Sequence, residues 1–436
     1  MTDLTPMSAV HTKASTASSE PLLIPLEYSL VLTDPAVEAA FGLLRAHARH
    51  LFLLPVWRMQ GREAMNRRVA DRILLDPAAL PYDAAVLAEL QIQHACGREL
   101  VLVTRSDRRH AQQIADHLGI FSQVLSADEA IRHAGTGAST MPVSAFPLPA
   151  YLKSLRLHQW LKNLLLFVPL VMSHQISNIN LLMNAAIAFL AFGLCASSAY
   201  LLNDLLDLAD DRRHPDKRHR PLAAGQVSAR ACAWGIPVLL AASAALGLLL
   251  PAPFLALLGT YYLGTLLYSL WLKRVILVDV LSLVGLYTLR LLAGAAAVSV
   301  TTSFWLLAFA VFVFLSLAMV KRYVELQTMA AMDRTVAAGR GYRIDDLETI
   351  SQFGSASGYM AVLVLALYIN SDTVRVLYDE PRIIWLLCPL VLYLISRIWL
   401  LARRGEIHED PVVFAIEDRQ SQVLAVLGAL LLWLAA

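Results

Sequence analysis

The chain has 436 residues, of which 57% are hydrophobic and only 16% are charged, and its formal net charge is +2. Such a composition is far more apolar than that of a soluble domain and predicts a membrane protein with several spanning helices. The nearly neutral charge, with basic residues confined to short loops, argues against a nucleic-acid partner. Four scattered cysteines without C-x-x-C spacing indicate neither a zinc site nor a disulfide framework.

The first 20 residues are polar, rich in Ser and Thr, and contain no apolar stretch of the kind found in signal peptides. We expect residues 1–20 to be disordered and to stay in the cytoplasm. Residues 21–135 carry charges throughout and short apolar runs, which predicts a small soluble α/β domain. Strands are predicted near Ser29–Thr33 and at Glu99–Thr104, and helices at 37–48, 62–74, 84–94 and 108–118. Residues 136–150, rich in Gly, Ala, Ser, Thr and Pro, are predicted to be a linker.

The order of these predicted elements resembles part of a haloacid-dehalogenase-like phosphatase domain. In that family an aspartate of a D-x-D-G-T motif accepts the phosphoryl group. Aligning residues 29–34 with the end of this motif puts Pro25 at the nucleophile position and Glu27 at the acid position, while Thr104 matches a hydroxyl that contacts phosphate. Because proline cannot be phosphorylated, we expect a degenerate domain without phosphatase activity and with a structural or docking role.

Nine apolar segments follow and predict an all-α polytopic membrane protein with about nine transmembrane helices over residues 151–436. The segments lie near 151–172, 180–202, 230–250, 253–272, 275–298, 303–321, 354–371, 382–402 and 421–436. Within residues 151–436, most Lys and Arg residues fall in the loops 203–229, 272–275, 321–353 and 402–420, whereas the opposite loops contain almost none beyond Arg375 and Arg382. The positive-inside rule therefore places these basic loops and the amino-terminal domain in the cytoplasm of a cell whose inner membrane the chain spans.

Three aspartates follow the second apolar segment at the spacing i, i+3, i+7, namely Asp204, Asp207 and Asp211. On a continuous helix this spacing puts all three carboxylates on one face, where they repel each other unless a cation lies between them. Hard oxygen ligands with incomplete protein coordination suit Mg²⁺ shared with a diphosphate, and the basic run that follows would bind the remaining phosphate charge. The alternative is a solvated, positively charged loop beside a membrane span. Asn203 and the regular aspartate spacing favour the metal site.

A second group of ionisable residues lies in the fifth predicted span. Asp279 and Arg290 are eleven residues apart, so they fall within about 20° on the same helix face. Ionisable residues inside a span are costly and usually face a cavity with a partner. Arg290 is equally well explained by a structural ion pair with another helix. For Asp279, close to Lys273 at the cytoplasmic end, a functional role is favoured.

The run N-D-x-x-D-x-x-x-D-R-x-H-P-x-K-x-x-R-P, from Asn203 to Pro221, resembles the first aspartate-rich motif of UbiA-type membrane transferases. Its tail is most similar to the branch that transfers phosphoribose to decaprenyl phosphate. Two further motifs resemble the same branch: R-x-x-Q-W-x-K-N, which ends at Asn163, and K-R-Y-x-E-L, which begins at Lys321. Prenyltransferases of the superfamily usually have D-x-x-x-D as their second motif, whereas Leu283 follows Asp279 at that spacing here.

The resemblance implies a UbiA-type helical bundle that transfers 5-phosphoribose from phosphoribosyl diphosphate to a polyprenyl phosphate, with Mg²⁺ as cofactor. Its expected partners are these two substrates and the membrane, and a homo-oligomer is compatible with it. It implies catalytic roles for Asp204, Asp207, Asp211 and Asp279, the first three as metal ligands. It implies substrate-binding roles for Lys162, Asn163, Asn203, Arg212, Lys217, Arg220, Lys273, Arg290, Lys321, Arg322 and Glu325.

Two alternative functions stay open at this point. One is transfer of a prenyl group from a prenyl diphosphate to an aromatic acceptor, which would use the same aspartates. The other is a non-catalytic membrane scaffold whose soluble domain recruits partners. A scaffold has no need for three carboxylates at this spacing, so the sequence favours an enzyme.

Overall fold

The structure, a computed structural model, describes residues 21–133, 148–214, 217–331, 341–371, 378, 380–407 and 410–435. The predicted disordered segment 1–20 and most of the predicted linker 136–150 lie outside these ranges, although 148–150 begin a helix, Leu148–Ser154. The chain forms two compact units. We call Met1–Ser154 with Asp204–Ala233 the α/β unit, and Leu155–Asn203 with Trp234–Ala436 the helical unit. The aspartate-rich stretch of the predicted membrane domain is thus part of the α/β unit.

A parallel three-stranded sheet forms the centre of the α/β unit. Its strands are β1 (Leu22–Pro25), β2 (Leu100–Thr104) and β3 (Gln123–Ser126), in the spatial order β1-β2-β3. Leu22 pairs with Leu100, and Val101 pairs with Gln123. Alternate residues of β2 are buried on both faces of the sheet, as is typical of parallel sheets covered by helices.

Helices of this unit begin at aspartate caps whose carboxylates accept backbone N–H bonds. Asp34, Asp83 and Asp107 cap the helices Pro35–Ala46, Ala84–Ala95 and Arg108–Leu118 in this way. The other α-helices before the membrane segment are Leu53–Met59, Arg62–Ala70, Ala127–His133 and Leu148–Ser154. The four predicted helices are therefore present, with ends shifted by up to four residues.

The predicted position of the first strand is wrong. Residues 26–33 form turns, with isolated bridges joining Glu27 to Val31 and Val31 to Tyr82, while the strand itself is Leu22–Pro25. The apolar pattern of residues 29–33 reflects burial of Leu30 and Val31 in the turn rather than a place in the sheet. The predicted strand at 99–104 is confirmed, whereas β3 was not predicted.

The helical unit consists of long apolar helices. They are Ile179–Leu206, Ala229–Gly247, Ala252–Leu270, Val278–Ala297, Phe304–Ala331, Leu347–Ile369 and Leu387–Arg403, of which the first two cross the boundary of the unit. Shorter elements are the 3-10 helix Leu157–Phe167 and the α-helices Val168–Met172, Leu208–Arg213, Pro381–Ile384, Pro411–Glu417 and Arg419–Ala435. Leu208–Arg213 belongs to the α/β unit.

Seven helices in the described part of the chain are long and apolar enough to cross a membrane. Two of the nine predicted spans, 151–172 and 421–436, correspond to shorter apolar helices, Leu157–Met172 and Arg419–Ala435. A helix of this length falls short of the roughly 20 residues that a bilayer core requires. The predicted fold class, a polytopic α-helical protein with a small α/β domain, is confirmed.

Packing in the helical unit depends on close helix contacts. One buried cluster joins Val284, Tyr287, Phe314 and Trp399, and a second includes Leu166, Phe192, Phe254 and Tyr261. A Cβ atom at Gly294 would lie 2.2 Å from the carbonyl oxygen of Leu166. Only glycine therefore allows these two segments to approach so closely.

Candidate functional site

The aspartate-rich segment, residues 204–230, begins where the helix Ile179–Leu206 ends. The helix is interrupted at Asp207, whose φ of −95° and ψ of 7° are followed by the short helix Leu208–Arg213. The carbonyl of Asp207 accepts N–H bonds from Asp210 at 3.0 Å and Asp211 at 2.9 Å. The prediction of one continuous helix with all three carboxylates on one face is therefore wrong. Two helices meet at Asp207, the middle aspartate.

Two of the three carboxylates converge on one arginine. Nη1 of Arg220 lies 2.5 Å from Asp211 Oδ2 and 3.4 Å from Asp204 Oδ1. Asp204 and Asp211 are 5% and 3% exposed. Burial raises the pKa of the Asp211 carboxyl, and the positive charges of Arg220 and Lys217 oppose this rise. In this structure the cation beside these two carboxylates is Arg220, and the predicted Mg²⁺ stays a prediction.

Asp207 faces a residue of the amino-terminal domain. Nη1 of Arg45 lies 3.8 Å from Asp207 Oδ1, and the same guanidinium forms a close ion pair with Asp210. Carboxylate oxygens are the ligand type that Mg²⁺ prefers, so the donor chemistry fits the metal. Within the described residues, however, no three acidic, His or Cys side chains converge on one point. Arginines neutralise the carboxylates here.

The basic residues of the segment have different environments. Lys217 is half-buried in the 3-10 turn Lys217–His219, and its N–H donates to His214 Nδ1 at 3.4 Å. Arg212, predicted to bind substrate, instead forms a buried bidentate pair with Glu38. Asn203 lies half-buried in the last turn of the helix Ile179–Leu206.

In the helical unit, Asp279 and Arg322 form a buried ion pair. Arg322 Nε lies 2.5 Å from Asp279 Oδ2, and Tyr268 donates its hydroxyl to Asp279 Oδ1 at 2.9 Å. Arg322 also forms a close ion pair with Glu325, one turn further along the same helix. Asp279, Arg322 and Glu325 were each predicted as site residues, and the structure brings all three together. Lys273 lies in the turn Leu272–Arg274 that precedes the helix of Asp279.

A second cluster of the helical unit contains two lysines on one carboxylate. Asp410 Oδ2 accepts from Lys162 Nζ at 2.8 Å and from Lys321 Nζ at 2.7 Å. Burial alone would raise the pKa of the Asp410 carboxyl, but the two ammonium groups hold it well below its usual range. One negative charge between two positive charges leaves the cluster net cationic. An anionic phosphate would be attracted to it.

Arg290 lies deeper in the same unit and has neutral partners. Its Nε donates to Asn163 Oδ1 at 3.1 Å and its Nη2 donates to the Tyr261 hydroxyl at 2.8 Å. The guanidinium also stacks over the ring of Tyr261, 4.8 Å from its centroid. Within the described part of the chain, Arg290 binds an amide and a phenol, and no carboxylate of another helix pairs with it as the alternative prediction had suggested.

Sequence reasoning missed three residues of these clusters: Asp410, Tyr268 and Tyr261. Asp410 lies before Pro411 in the predicted cytoplasmic loop 402–420, where it was not predicted as a site residue. Asp410 and Lys162 are 248 residues apart, so no local pattern pairs them. The tyrosines lie on an apolar helix, Ala252–Leu270, where nothing distinguishes them from packing residues.

At the carboxyl edge of the sheet, Glu27 contacts Thr104, the residue whose hydroxyl was predicted to bind phosphate. Its Oε1 accepts from the Thr104 hydroxyl at 2.7 Å, from the N–H groups of Arg105 and Ser106 at 2.9 and 3.0 Å, and from the Ser106 hydroxyl at 2.9 Å. Pro25 is the last residue of β1. The hydroxyl predicted to contact phosphate therefore binds a carboxylate of the protein itself. The haloacid-dehalogenase resemblance of this domain stays a prediction.

Comparison with known proteins identifies relatives of the helical part and of the whole chain. A sequence model of the UbiA prenyltransferase family matches residues 164–416. The uncharacterised protein y4nM of Sinorhizobium fredii is 32% identical over 94% of this chain and 90% of its own length. The nodulation protein NoeC of Azorhizobium caulinodans is 34% identical over 65% of this chain and 91% of its own. A decaprenyl-phosphate phosphoribosyltransferase of Mycobacterium tuberculosis is 36% identical over 43% of this chain and 63% of its own.

Proposed function

Because the chain belongs to the UbiA prenyltransferase family, a family of multi-pass membrane transferases, we propose that it transfers 5-phosphoribose from phosphoribosyl diphosphate to a polyprenyl phosphate. The bond between C1 of the ribose and the diphosphate oxygen breaks, and the diphosphate leaves with the electron pair. An oxygen of the lipid phosphate then forms the new bond to C1. Similarity to decaprenyl-phosphate phosphoribosyltransferases over part of the chain supports this choice of substrates.

The observation that carries the proposal is the number of lysine and arginine side chains that lie next to the aspartates of the two units and could bind phosphate groups. Phosphoribosyl diphosphate has a 5-phosphate as well as a diphosphate, so it requires more cationic partners than an allylic diphosphate, whose other end is hydrocarbon. Lys162 and Lys321 share one carboxylate, which leaves a net positive cluster. Leu283 occupies the position of the second aspartate expected for a prenyl diphosphate site.

In this proposal, the aspartate-rich segment binds the diphosphate end of the donor. Asp204, Asp207 and Asp211 would hold Mg²⁺, which supplies positive charge to the leaving diphosphate when it is bound. Arg220 and Lys217 bind diphosphate oxygens and stabilise the charge that develops on them. An arginine that moves from a carboxylate to a phosphate keeps a charge-assisted hydrogen bond, so the exchange costs little.

In the helical unit, the lysine cluster is proposed to bind a phosphate group. Lys162 and Lys321 orient either the 5-phosphate or the phosphate of the lipid, and Asp410 keeps both ammonium groups in position. The acceptor phosphate is already anionic, so the reaction requires no strong general base. The active site and the amino-terminal domain are proposed to face the cytoplasm, where the donor is dissolved. The tail of the lipid acceptor stays in the bilayer.

Thermal protection of the purified protein tests the choice of donor. With Mg²⁺ present, phosphoribosyl diphosphate at 100 times its dissociation constant should stabilise the folded state by about 2.7 kcal/mol, because it binds that state alone. Geranyl diphosphate should stabilise weakly or not at all. Lys217→Ala should reduce the protection, whereas the control Lys153→Ala, at an exposed lysine of the helix Leu148–Ser154, should not.

Strong protection by geranyl diphosphate with none by phosphoribosyl diphosphate would favour the second candidate, transfer of a prenyl group to an aromatic acceptor. Membership of a family described by its prenyltransferases supports that candidate. The same aspartates would then ionise an allylic diphosphate. The incomplete second motif at Leu283 favours the phosphoribosyl donor.

A further inference from the structure

The amino-terminal domain and the aspartate-rich segment belong to the same compact unit, although they are separated by about 70 residues of chain that belong largely to the other unit. The family match begins at residue 164, so it includes the aspartate-rich segment but not residues 21–133. The role of residues 21–133 is therefore a separate question from the reaction. The contacts within the unit answer it.

The central contact is a buried ion pair between Glu38 and Arg212. Arg212 Nη1 donates to Glu38 Oε2 at 2.8 Å and Nη2 donates to Glu38 Oε1 at 2.5 Å, and the side chains of Arg212 and Glu38 are 8% and 5% exposed. Thr33 donates its hydroxyl to Glu38 at 2.5 Å, and Arg212 Nε donates to the carbonyl of Ala223 at 3.2 Å. The bidentate pair therefore joins the domain to Arg212 in the first half of the segment. The same guanidinium binds Ala223 in the second half. Arg212 is the residue next to Asp211, a proposed metal ligand.

Further contacts lie on both sides of this pair. Asp34, which caps the helix Pro35–Ala46, forms a close ion pair with Arg230 at the end of the segment. Ser228 donates its hydroxyl to that of Tyr28 at 2.9 Å. At the start of the segment, Arg45 contacts Asp207 and Asp210. The helix that carries Glu38 and Arg45 thus contacts the segment at two points.

Backbone packing reinforces these polar contacts. Gly225 has a φ of +71°, and a Cβ atom there would lie 2.7 Å from Cβ of Leu32 and 3.1 Å from Cβ of Pro81. The neighbouring Leu222, Ala223 and Val227 are buried. A glycine at this point allows the segment to lie directly against the turn of the domain.

We propose that the amino-terminal domain is a positioning domain for the aspartate-rich segment, with Glu38 and Arg45 as its main positioning residues. The proposal rests on the proposed function, since it gives the segment a metal and a donor to bind. A buried ion pair adds little net stability compared with apolar packing, but it strongly disfavours any arrangement that leaves one charge unpaired. Glu38 therefore fixes where Arg212, and with it Asp211, must lie. Arg45 restrains Asp207 from the same helix.

The first experiment measures order in the segment by hydrogen exchange of the full-length protein in nanodiscs, without substrate. Glu38→Gln leaves Arg212 buried and half-paired, so amides in 204–214 and 217–230 should exchange at least about tenfold faster. The reversed pair, Glu38→Arg with Arg212→Glu, should restore part of the protection. The control Glu89→Gln changes an exposed glutamate on the helix Ala84–Ala95 and should exchange like the wild type.

The second experiment separates positioning from general damage by kinetics. Glu38→Gln should raise the KM for phosphoribosyl diphosphate and the Mg²⁺ concentration for half-maximal turnover by about tenfold, and leave the KM for the lipid phosphate within about twofold. Should Glu38→Gln fail to fold, Arg45→Gln tests the same claim at a partly exposed contact, with faster exchange expected in residues 204–213.

Unchanged exchange in the segment, or an equal rise in the KM of both substrates, would overturn the proposal. Hydrogen exchange requires no turnover, so it decides the positioning claim even if the wild-type protein has no activity toward phosphoribosyl diphosphate. In that case the proposed function fails and the exchange result stands by itself.

Discussion

Asp410 should contribute to stability mainly through its charge. Asp410→Asn keeps the size of the side chain and its ability to cap the helix Pro411–Glu417, where Asp410 Oδ1 accepts from Val412 N. It removes the negative charge that two lysines share. The variant thus isolates the electrostatic effect.

The expected loss follows from the burial of the cluster. Leaving a buried charge unpaired costs about 3–5 kcal/mol, and the lower end applies because the Lys321 side chain is 34% exposed. A loss of about 3 kcal/mol corresponds to a fall of about 3 °C in the apparent Tm of a protein of this size. Replacing Lys162 as well, in Asp410→Asn with Lys162→Met, removes the charge left unpaired and should recover part of the loss.

The charge of Asp410 itself should persist across neutral and mildly acidic pH, whereas that of Lys162 should not. The pKa of the folded Asp410 carboxyl is lowered, so its stabilising effect is present above the unfolded pKa of about 3.9 and is lost only as the pH falls through the folded value. The deficit of the variant should therefore be largest at pH 5 and smaller at pH 8, because the buried Lys162 ammonium loses its proton more easily once Asp410 no longer carries a charge. The assay is thermal unfolding in detergent at a fixed scan rate, with Asp345→Asn, at an exposed aspartate, as control. An Asp410→Asn protein that unfolds at the wild-type temperature would refute the reasoning.

Three further predictions concern the proposed sites. Asp204→Asn and Asp207→Asn should abolish turnover and leave membrane insertion intact, and turnover should require Mg²⁺ or Mn²⁺; full activity in EDTA would remove the metal assignment. The protein should not hydrolyse p-nitrophenyl phosphate, because Pro25 cannot accept a phosphoryl group and Glu27 already fills the hydroxyl and N–H donors of residues 104–106; hydrolysis that titrates with the protein and survives Asp204→Asn would show otherwise. Arg322→Met should destabilise the fold by about 3–5 kcal/mol, because Asp279 would lose its buried guanidinium partner, and Asp279→Leu added to it should recover part of that stability, which thermal unfolding of both variants measures.

Elements with a strong local signal could be predicted from the sequence. Seven of the predicted apolar segments are long helices in the described part of the chain, and the apolar run at 100–104 is the central strand. The two edge strands have only four residues each, and Gln123–Ser126 is half polar, so neither differs enough from a turn to be predicted. The pattern at 29–33 favoured a strand because burial in a turn gives the same apolar residues.

The candidate site could be predicted only where its residues are neighbours in sequence. Asp204, Asp207 and Asp211 share one motif, and Arg322 and Glu325 share one helix turn. Contacts such as Lys162 with Asp410, or Glu38 with Arg212, join residues 248 and 174 positions apart and depend on how the chain folds back. The predicted domains are contiguous in sequence, whereas the α/β unit also includes residues Asp204–Ala233.

Transfer of labelled phosphoribose to lipid tests the central claim most directly. The purified protein, in liposomes with Mg²⁺, would receive phosphoribosyl diphosphate labelled in the ribose together with a polyprenyl phosphate, and in a separate reaction a prenyl diphosphate with 4-hydroxybenzoate. The account predicts that label enters the lipid fraction in the first reaction, with none in the Asp204→Asn protein. Product in the second reaction alone would contradict it and identify a prenyltransferase.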